Sequence, residues 1–290
     1  MNNFDCKYRG LKKNVTLESG DYKDFALPVM AAAQKAGAAI MDIYRADPNV
    51  RYKADSSPVT DADHASEDIV IAALFKLMPD VPVIAEEQVS AGNIPYTSDA
   101  YFLVDPLDGT KEFLKLNGEF TVNIALVNAG KPIFGLIYAP AKSDCYVTLS
   151  KAQAFRCELP PSHAGELPRD LSFSALTGEA DARRPFTAIV SRSHLRPQTL
   201  AFLDQLGNPA RAVLGSSLKF GVLARGEADV YPRFGPTSEW DTAAGQAIVE
   251  AAGGCVVTAD GKPLLYGKKD QGYLNPAFIA WRRPGGPNPA

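Results

Sequence analysis

Two apolar runs end in carboxylates. VPVIAEE (81–87) and AYFLVDPLDG (100–109) each read as a strand that runs straight into an acidic turn. That form constrains the fold, because the strands must be buried while their acidic ends stay at the lip of a sheet. TVNIALV and PIFGLIYA flank the turn Asn128-Ala129-Gly130-Lys131 and predict a hairpin, which DCYVTLS and AQAFRCE extend into an antiparallel sheet. Upstream, Asp24 is placed to cap a helix with the stripe Leu27, Met30, Ala33, Gly37, Ile40, Met41 and Tyr44, ending before Pro48. A second helix is expected over 62–77, with Ile69, Ala73 and Leu77 inward and Pro79 as its stop. Downstream, strands FTAIVSRS, RAVLGS, ADVYPRF and CVVT alternate with helices PQTLAFLDQL, SLKFGVLARG and DTAAGQAIVEAAGG, the last with a Gly C-cap. The pattern is α/β, more closely α+β, in two halves. Residues 1–22 read as a flexible extension, 23–157 as an α+β half, 158–184 as a Pro- and Ser-rich connector, 185–281 as an α/β half, and 282–290 as a disordered tail.

Composition closes off several function classes. Across 290 residues, 46% hydrophobic and 22% charged content supports a sizeable core. A net charge of −3 argues against a nucleic-acid polymer as partner, although local charge can still favour an anionic small molecule. The four cysteines are far apart and form no CxxC pair, which points to a reducing, cytoplasmic setting. Three scattered histidines disfavour a zinc site. No apolar run approaches the roughly 18 residues of a membrane span, and the N-terminus lacks the hydrophobic block of a signal peptide.

The acidic ends carry the chemistry. Asp61 and Asp63, Glu86 and Glu87, Asp105 and Asp108, and Asp241 all lie where strands end or helices begin. Carboxylates gathered in this way repel, and one physical solution is a hard divalent cation with oxygen ligands, Mg2+ above all. In DPLDGT, Pro106 biases Asp105 toward an extended conformation, and Asp105 and Asp108 can meet across a tight turn with the Leu107 carbonyl exposed between them. Gly109 permits close backbone approach, and Thr110 opens a short helix whose N–H groups suit a phosphate. Taken singly, each feature has a plainer reading: Asp-Gly marks an ordinary turn, Asp241 an N-cap, and Asp63 a first-turn acid. Their order is what carries information.

The set AEE, VDPLDGTKEF and WDTAAGQAIVEAAGG resembles the inositol monophosphatase superfamily of Mg2+-dependent, lithium-sensitive phosphatases. KADSSPVTDAD, NGEFTVNIAL, SRSH, GSSLKF and YPRFGPTSEWDTAAG make it more similar to the CysQ-type 3'(2'),5'-bisphosphate nucleotidase branch, as does Lys111-Glu112-Phe113 after the DGT. The likeness runs from about residue 25 to about 280. It implies a layered αβαβα sandwich with the metals between the halves. It implies that Glu86, Asp105 and the Leu107 carbonyl hold one Mg2+, that Asp105, Asp108 and Asp241 hold a second, and that a third lies near Glu86 and Asp63 through water, with Mn2+ as a substitute. Asp63 and Thr110, with Glu86, would activate the attacking water, and the Gly109 and Thr110 amides would receive the phosphate. In this sequence Ala85 stands where a Ser often precedes the paired glutamates.

The implied reaction is removal of the 3'-phosphate of adenosine 3',5'-bisphosphate, with its sulfated analogue as a further substrate and a role in sulfur assimilation. A second phosphate needs its own cationic pocket. Lys219 and Arg233 are the candidates, with Ser216 and Ser217 as donors at a helix start. His194 is a candidate contact to the base, whereas Tyr231 and Phe234 read as core. An inositol or sugar phosphatase on the same metal core is the other enzymatic reading; a binding regulator without catalysis is the non-enzymatic one. The protein is expected to be a monomer or homodimer, with peripheral attachment to the inner membrane face as a family property that no amphipathic helix here demands.

Overall fold

A computed structural model describes residues 22–46, 51–52, 58–95, 99–193 and 195–286. Residues 1–21 of the expected extension, His194 and the last four residues lie outside them; Tyr22, the last residue of that expected extension, is instead buried, with its N–H donating to the Leu149 carbonyl at 2.8 Å. Helix α1 (Lys23–Arg45) starts at an N-cap formed by Tyr22, and Asp24 falls in its first turn instead of capping it. There its charge complements the helix dipole. The short strands β1 (Arg51–Tyr52) and β2 (Pro58–Val59) pair before α2 (Asp61–Leu77). Thr60 and Asp63 close a capping box at the α2 start. The buried apolar face of α2 is Val70 and Leu74, with Ile69, Ala73 and Leu77 flanking it, so the expected stripe is rotated by one residue.

The first sheet contains β3 (Val83–Ala85), β4 (Ala100–Asp108), β5 (Thr121–Asn128), β6 (Lys131–Ala139), β7 (Asp144–Ser150), β8 (Gln153–Glu158) and β9 (Ser174–Leu176) in that spatial order. Strand β9 arises within the stretch expected to be a connector. Among the described residues of this sheet, β3 and β4 run parallel and every other pair is antiparallel. VPVIAEE stops as a strand at Ala85, and Glu86–Ser90 form a short helix, α3. The side chains alternate with period two. Phe102, Val104, Ile124, Leu126, Phe134 and Leu136 face α1 and α2 in one core. Tyr101, Leu103, Ala125, Val127 and Ile137 face the other way.

That second face packs on α6 (Leu218–Ala224) and α7 (Ala243–Ala251), which in turn cover a second sheet. Its five strands are β10 (Thr187–Ser191), β11 (Ala210–Leu214), β12 (Val230–Arg233), β13 (Cys255–Thr258) and β14 (Phe278–Trp281), ordered β11-β10-β12-β14-β13. Helix α5 (Pro197–Gln205) covers its far side through Phe202 and Leu203. The layers are therefore helix, sheet, helix, sheet, helix. Strand β14 has no counterpart in the sequence reading, and Arg282, expected in a disordered tail, donates to Asp229 at 3.0 Å. No helix among the described residues is long and apolar enough to cross a membrane.

Gly135 is where α7 meets β6. A Cβ there would lie 2.3 Å from the Ala244 carbonyl oxygen. Because that obstacle is backbone, Gly135→Ala is expected to cost about 3 kcal/mol and several degrees of Tm. An unchanged thermal transition would contradict this packing.

Candidate active site

The parallel β3–β4 register places Ala85 against Val104, so the next residues, Glu86 and Asp105, emerge side by side at the carboxyl ends of both strands. Pro106 sits in the register shift between Asp105 and Asp108 near the end of β4, where a strand tolerates proline. Its carbonyl accepts from Ser66 Oγ at 2.7 Å, and Leu107 N donates to Asp105 Oδ1 at 3.0 Å. Gly109 has φ 93°, a left-handed conformation that suits glycine, and it opens α4 (Thr110–Leu114). Asp241 arrives from the other half, on a 3-10 turn over Glu239–Asp241. Ser238 and Asp241 close a second capping box, with Ser238 N donating to Asp241 Oδ2 at 2.8 Å.

Glu86, Asp105 and Asp241 converge: each offers a carboxylate oxygen within 4.8 Å of the others. Burial and the nearby Asp108 and Glu86 charges push the Asp241 carboxyl well above its usual range. Burial likewise raises Asp108, partly offset by Lys219 and by Ser217. With three carboxylates and no thiolate or imidazole among them, the cluster could hold a hard metal ion.

The other expected residues are distributed around this cluster. Asp108 Oδ2 accepts from Ser217 N at 2.5 Å and Ser217 Oγ at 2.7 Å, which turns it toward the second half. Ser217 Oγ also lies 2.7 Å from the Asp241 carbonyl oxygen and accepts from Asn123 Nδ2 at 2.9 Å. Asp63 Oδ2 accepts from Thr60 N and Oγ1, and Asp63 Oδ1 lies 3.3 Å from Thr110 Oγ1. That hydroxyl is also 3.3 Å from the Leu107 carbonyl oxygen. Lys219 is buried; its ammonium donates to the Ser216 carbonyl and lies 5.4 Å from the Tyr231 ring centroid. Burial holds its pKa down to about 8. Arg233 donates to the Pro236 carbonyl at 3.0 Å, and its buried Nε has no hydrogen-bond partner among the described residues.

One cleft of about 460 Å3 joins these groups. Glu86, Asp105, Asp108, Thr110 and Asp241 line it, as do Ser216, Lys219 and Arg233. Tyr231 is buried edge-on against Phe220 and Phe278 and also lines the cleft, while Phe234 is half-buried against Phe202.

Several supporting residues escape sequence reasoning. Glu67 accepts from Glu87 N at 2.8 Å and Gln88 N at 3.1 Å, fixing the start of α3 and so the aim of Glu86. Burial drives its carboxyl up to about 7. Ser238 was legible, because Ser-x-x-Asp ahead of an apolar helix is a capping-box signature. Glu112, Glu119 and Asn123 had no such local signal.

Residues 21–282 match the model of the inositol monophosphatase family. The chain is 44% identical over 252 residues to the 3'(2'),5'-bisphosphate nucleotidase CysQ of Escherichia coli (strain K12), covering 86% of this chain and 96% of that protein. It is 40% identical over 255 residues to the Buchnera aphidicola protein of the same name, covering 86% and 90%. The crystal structure of CysQ from Bacteroides thetaiotaomicron superposes with a TM-score of 0.75 at 41% identity, covering 90% of this chain and 98% of that one. An inositol monophosphatase from Thermotoga maritima, at 23% identity and a TM-score of 0.67, shares the fold.

Proposed function

The chain belongs to the inositol monophosphatase family, and we propose that within it this protein is a Mg2+-dependent 3'(2'),5'-bisphosphate nucleotidase that hydrolyses the 3'-phosphate of adenosine 3',5'-bisphosphate to give AMP and phosphate. The observation that carries this reading is the pairing, in one cleft, of a three-carboxylate cluster with a buried lysine and arginine. The relatives at 40–44% identity carry the nucleotidase name.

Glu86, Asp105 and the Leu107 carbonyl would hold one Mg2+, Asp105, Asp108 and Asp241 a second, with a third near Glu86 and Asp63 through water. Bound there, the cations supply charge neutralisation for the phosphoryl oxygens and acidify water. The protein's own groups do the rest. A proton leaving the attacking water passes to Thr110 Oγ1 as that hydroxyl hands its own to Asp63 Oδ1, 3.3 Å away. The backbone N–H groups of Gly109 and Thr110, at the start of α4, receive the scissile phosphate. Lys219 and Arg233, with Ser216, take the other phosphate. Arg233 Nε, buried and without a partner among the described residues, is a donor that an anion would satisfy. No phosphoenzyme is required. The substrate is a small molecule, the setting is reducing and cytoplasmic, and the protein acts as a monomer or homodimer.

Phosphate release at equal Mg2+ tests the assignment across adenosine 3',5'-bisphosphate, inositol 1-phosphate and fructose 1,6-bisphosphate. The nucleotide is expected to lead in kcat/KM by roughly tenfold or more, about 1.4 kcal/mol of differential binding. A preference for inositol 1-phosphate would overturn the nucleotidase reading and leave a sugar phosphatase on the same core.

A further inference from the structure

Glu119 in NGEF and Arg192 in SRSH belong neither to the carboxylate cluster nor to the cationic pocket, yet the structure joins them. Arg192 Nε and an Nη each donate to the Glu119 carboxylate at 2.9 Å, and the same guanidinium donates to the Val213 carbonyl at 3.1 Å. Glu119 Oε2 also accepts from Gly215 N at 2.8 Å. Glu119 is 8% exposed. Burial alone would raise its pKa, but the Arg192 and Gly215 hydrogen bonds outweigh that and hold it below the usual carboxylate range. The carboxylate thus ties the start of β5, the end of β10 and the end of β11 to one another.

Gly215 leads directly into the loop that faces the cleft. Ser216 has φ 45°, a left-handed conformation that costs a serine roughly 1–2 kcal/mol. It is fixed on one side by Gly215 N on Glu119 and on the other by Ser217 N on Asp108. The Ser216 carbonyl in turn accepts the Lys219 ammonium. There is no slack at Gly215, since a Cβ there would lie 2.6 Å from Glu112 Cγ and 3.1 Å from Glu119 Oε2.

We propose that Glu119 is a positioning residue for substrate selectivity, holding the Gly215–Ser217 loop in its strained form so that Lys219 meets the non-scissile phosphate. This rests on the nucleotidase reading. Without Glu119, Ser216 relaxes and its carbonyl swings away, carrying the ammonium with it. Ser217 stays tied to Asp108, so the phosphoryl-transfer end is spared. A merely structural ion pair would behave otherwise. The pair is bidentate onto a carboxylate side chain that is only 11% exposed, so Tm is read beside the kinetics to separate a loss of stability from a loss of selectivity.

The test compares adenosine 3',5'-bisphosphate with adenosine 3'-monophosphate, which differ only in the 5'-phosphate. Wild type, Glu119→Ala, Lys219→Met and the double variant are each measured for kcat and KM, with Tm as a folding check. Glu119→Ala is expected to raise KM for the bisphosphate about tenfold, in line with losing one charge-assisted hydrogen bond. KM for the monophosphate and both kcat values should move less than about threefold. In the Lys219→Met background the same change should alter KM for the bisphosphate less than about twofold, because Glu119 acts through that ammonium. Equal losses on both esters, or a full effect without Lys219, would overturn the proposal. If Glu119→Ala does not fold, Glu119→Gln is read instead; it retains an acceptor for Gly215 N and should show about a threefold shift confined to the bisphosphate, any other pattern overturning the proposal. A wild type that treats the two esters alike would instead sink the nucleotidase reading, and this inference with it.

Discussion

Asp241→Asn is expected to lower kcat for phosphate release by roughly a thousandfold, about 4 kcal/mol of transition-state stabilisation, while the metal-free protein melts no lower than wild type. The two effects have opposite signs for one physical reason. Asp241 meets Glu86 and Asp105 in the cleft, half-buried like Glu86 and beside the buried Asp105, and desolvation together with the charges of Asp108 and Glu86 already disfavours its ionised form. Without a cation that charge is a liability to the fold, so a neutral amide of the same shape relieves it. Asparagine still offers an oxygen to Ser238 N, which preserves the capping box. With a cation, the same charge is what the site requires. Calorimetry of the metal-free protein and single-turnover phosphate release read the two arms. Loss of both activity and stability would reduce Asp241 to a structural acid, and retention of activity would remove it from the metal site.

Lys219→Met is the second large effect. It keeps an unbranched apolar side chain of similar length and removes the ammonium, which lies 5.4 Å from the Tyr231 ring centroid. Truncating one partner of a desolvated ion pair costs at least about 2 kcal/mol, so kcat/KM for adenosine 3',5'-bisphosphate should fall roughly thirtyfold. Hydrolysis of adenosine 3'-monophosphate should change by only a few-fold, since it lacks the group that Lys219 meets. A parallel fall on both esters would assign Lys219 to Asp108 and the metal end, the competing role, because the two charges already influence each other.

Much of this molecule can be read from the chain alone, and the reason is local. Period-two runs buried on both faces define β4, β5 and β6, and the DPLDGT turn announces itself through Pro106 and Gly109. The layered architecture agrees with the reading from motifs, and the carboxylates that gather are Glu86, Asp105 and Asp241, a trio that cuts across the two expected ligand sets. What could not be read is pairing across long separations. Glu119 meets Arg192 across 73 positions, and Asp108 meets Ser217 across 109. A charged residue in an isolated sequence looks the same whether solvated or clamped. The rotated face of α2 has a related origin: Asp63, Ser66 and Glu67 are buried as polar anchors of the site, so the inward stripe contains polar residues that apolar periodicity cannot register.

The central claim is that carboxylates distant in sequence form a cation site beside a phosphoester. Crystals grown with Mn2+ and inorganic phosphate, measured at the manganese absorption edge, test it most directly. Anomalous peaks at about 2.0–2.3 Å from carboxylate oxygens of Glu86, Asp105 and Asp241 are the expected result, with phosphate against the Gly109–Thr110 turn. A map with manganese bound elsewhere on the protein and none among those three side chains would contradict the account.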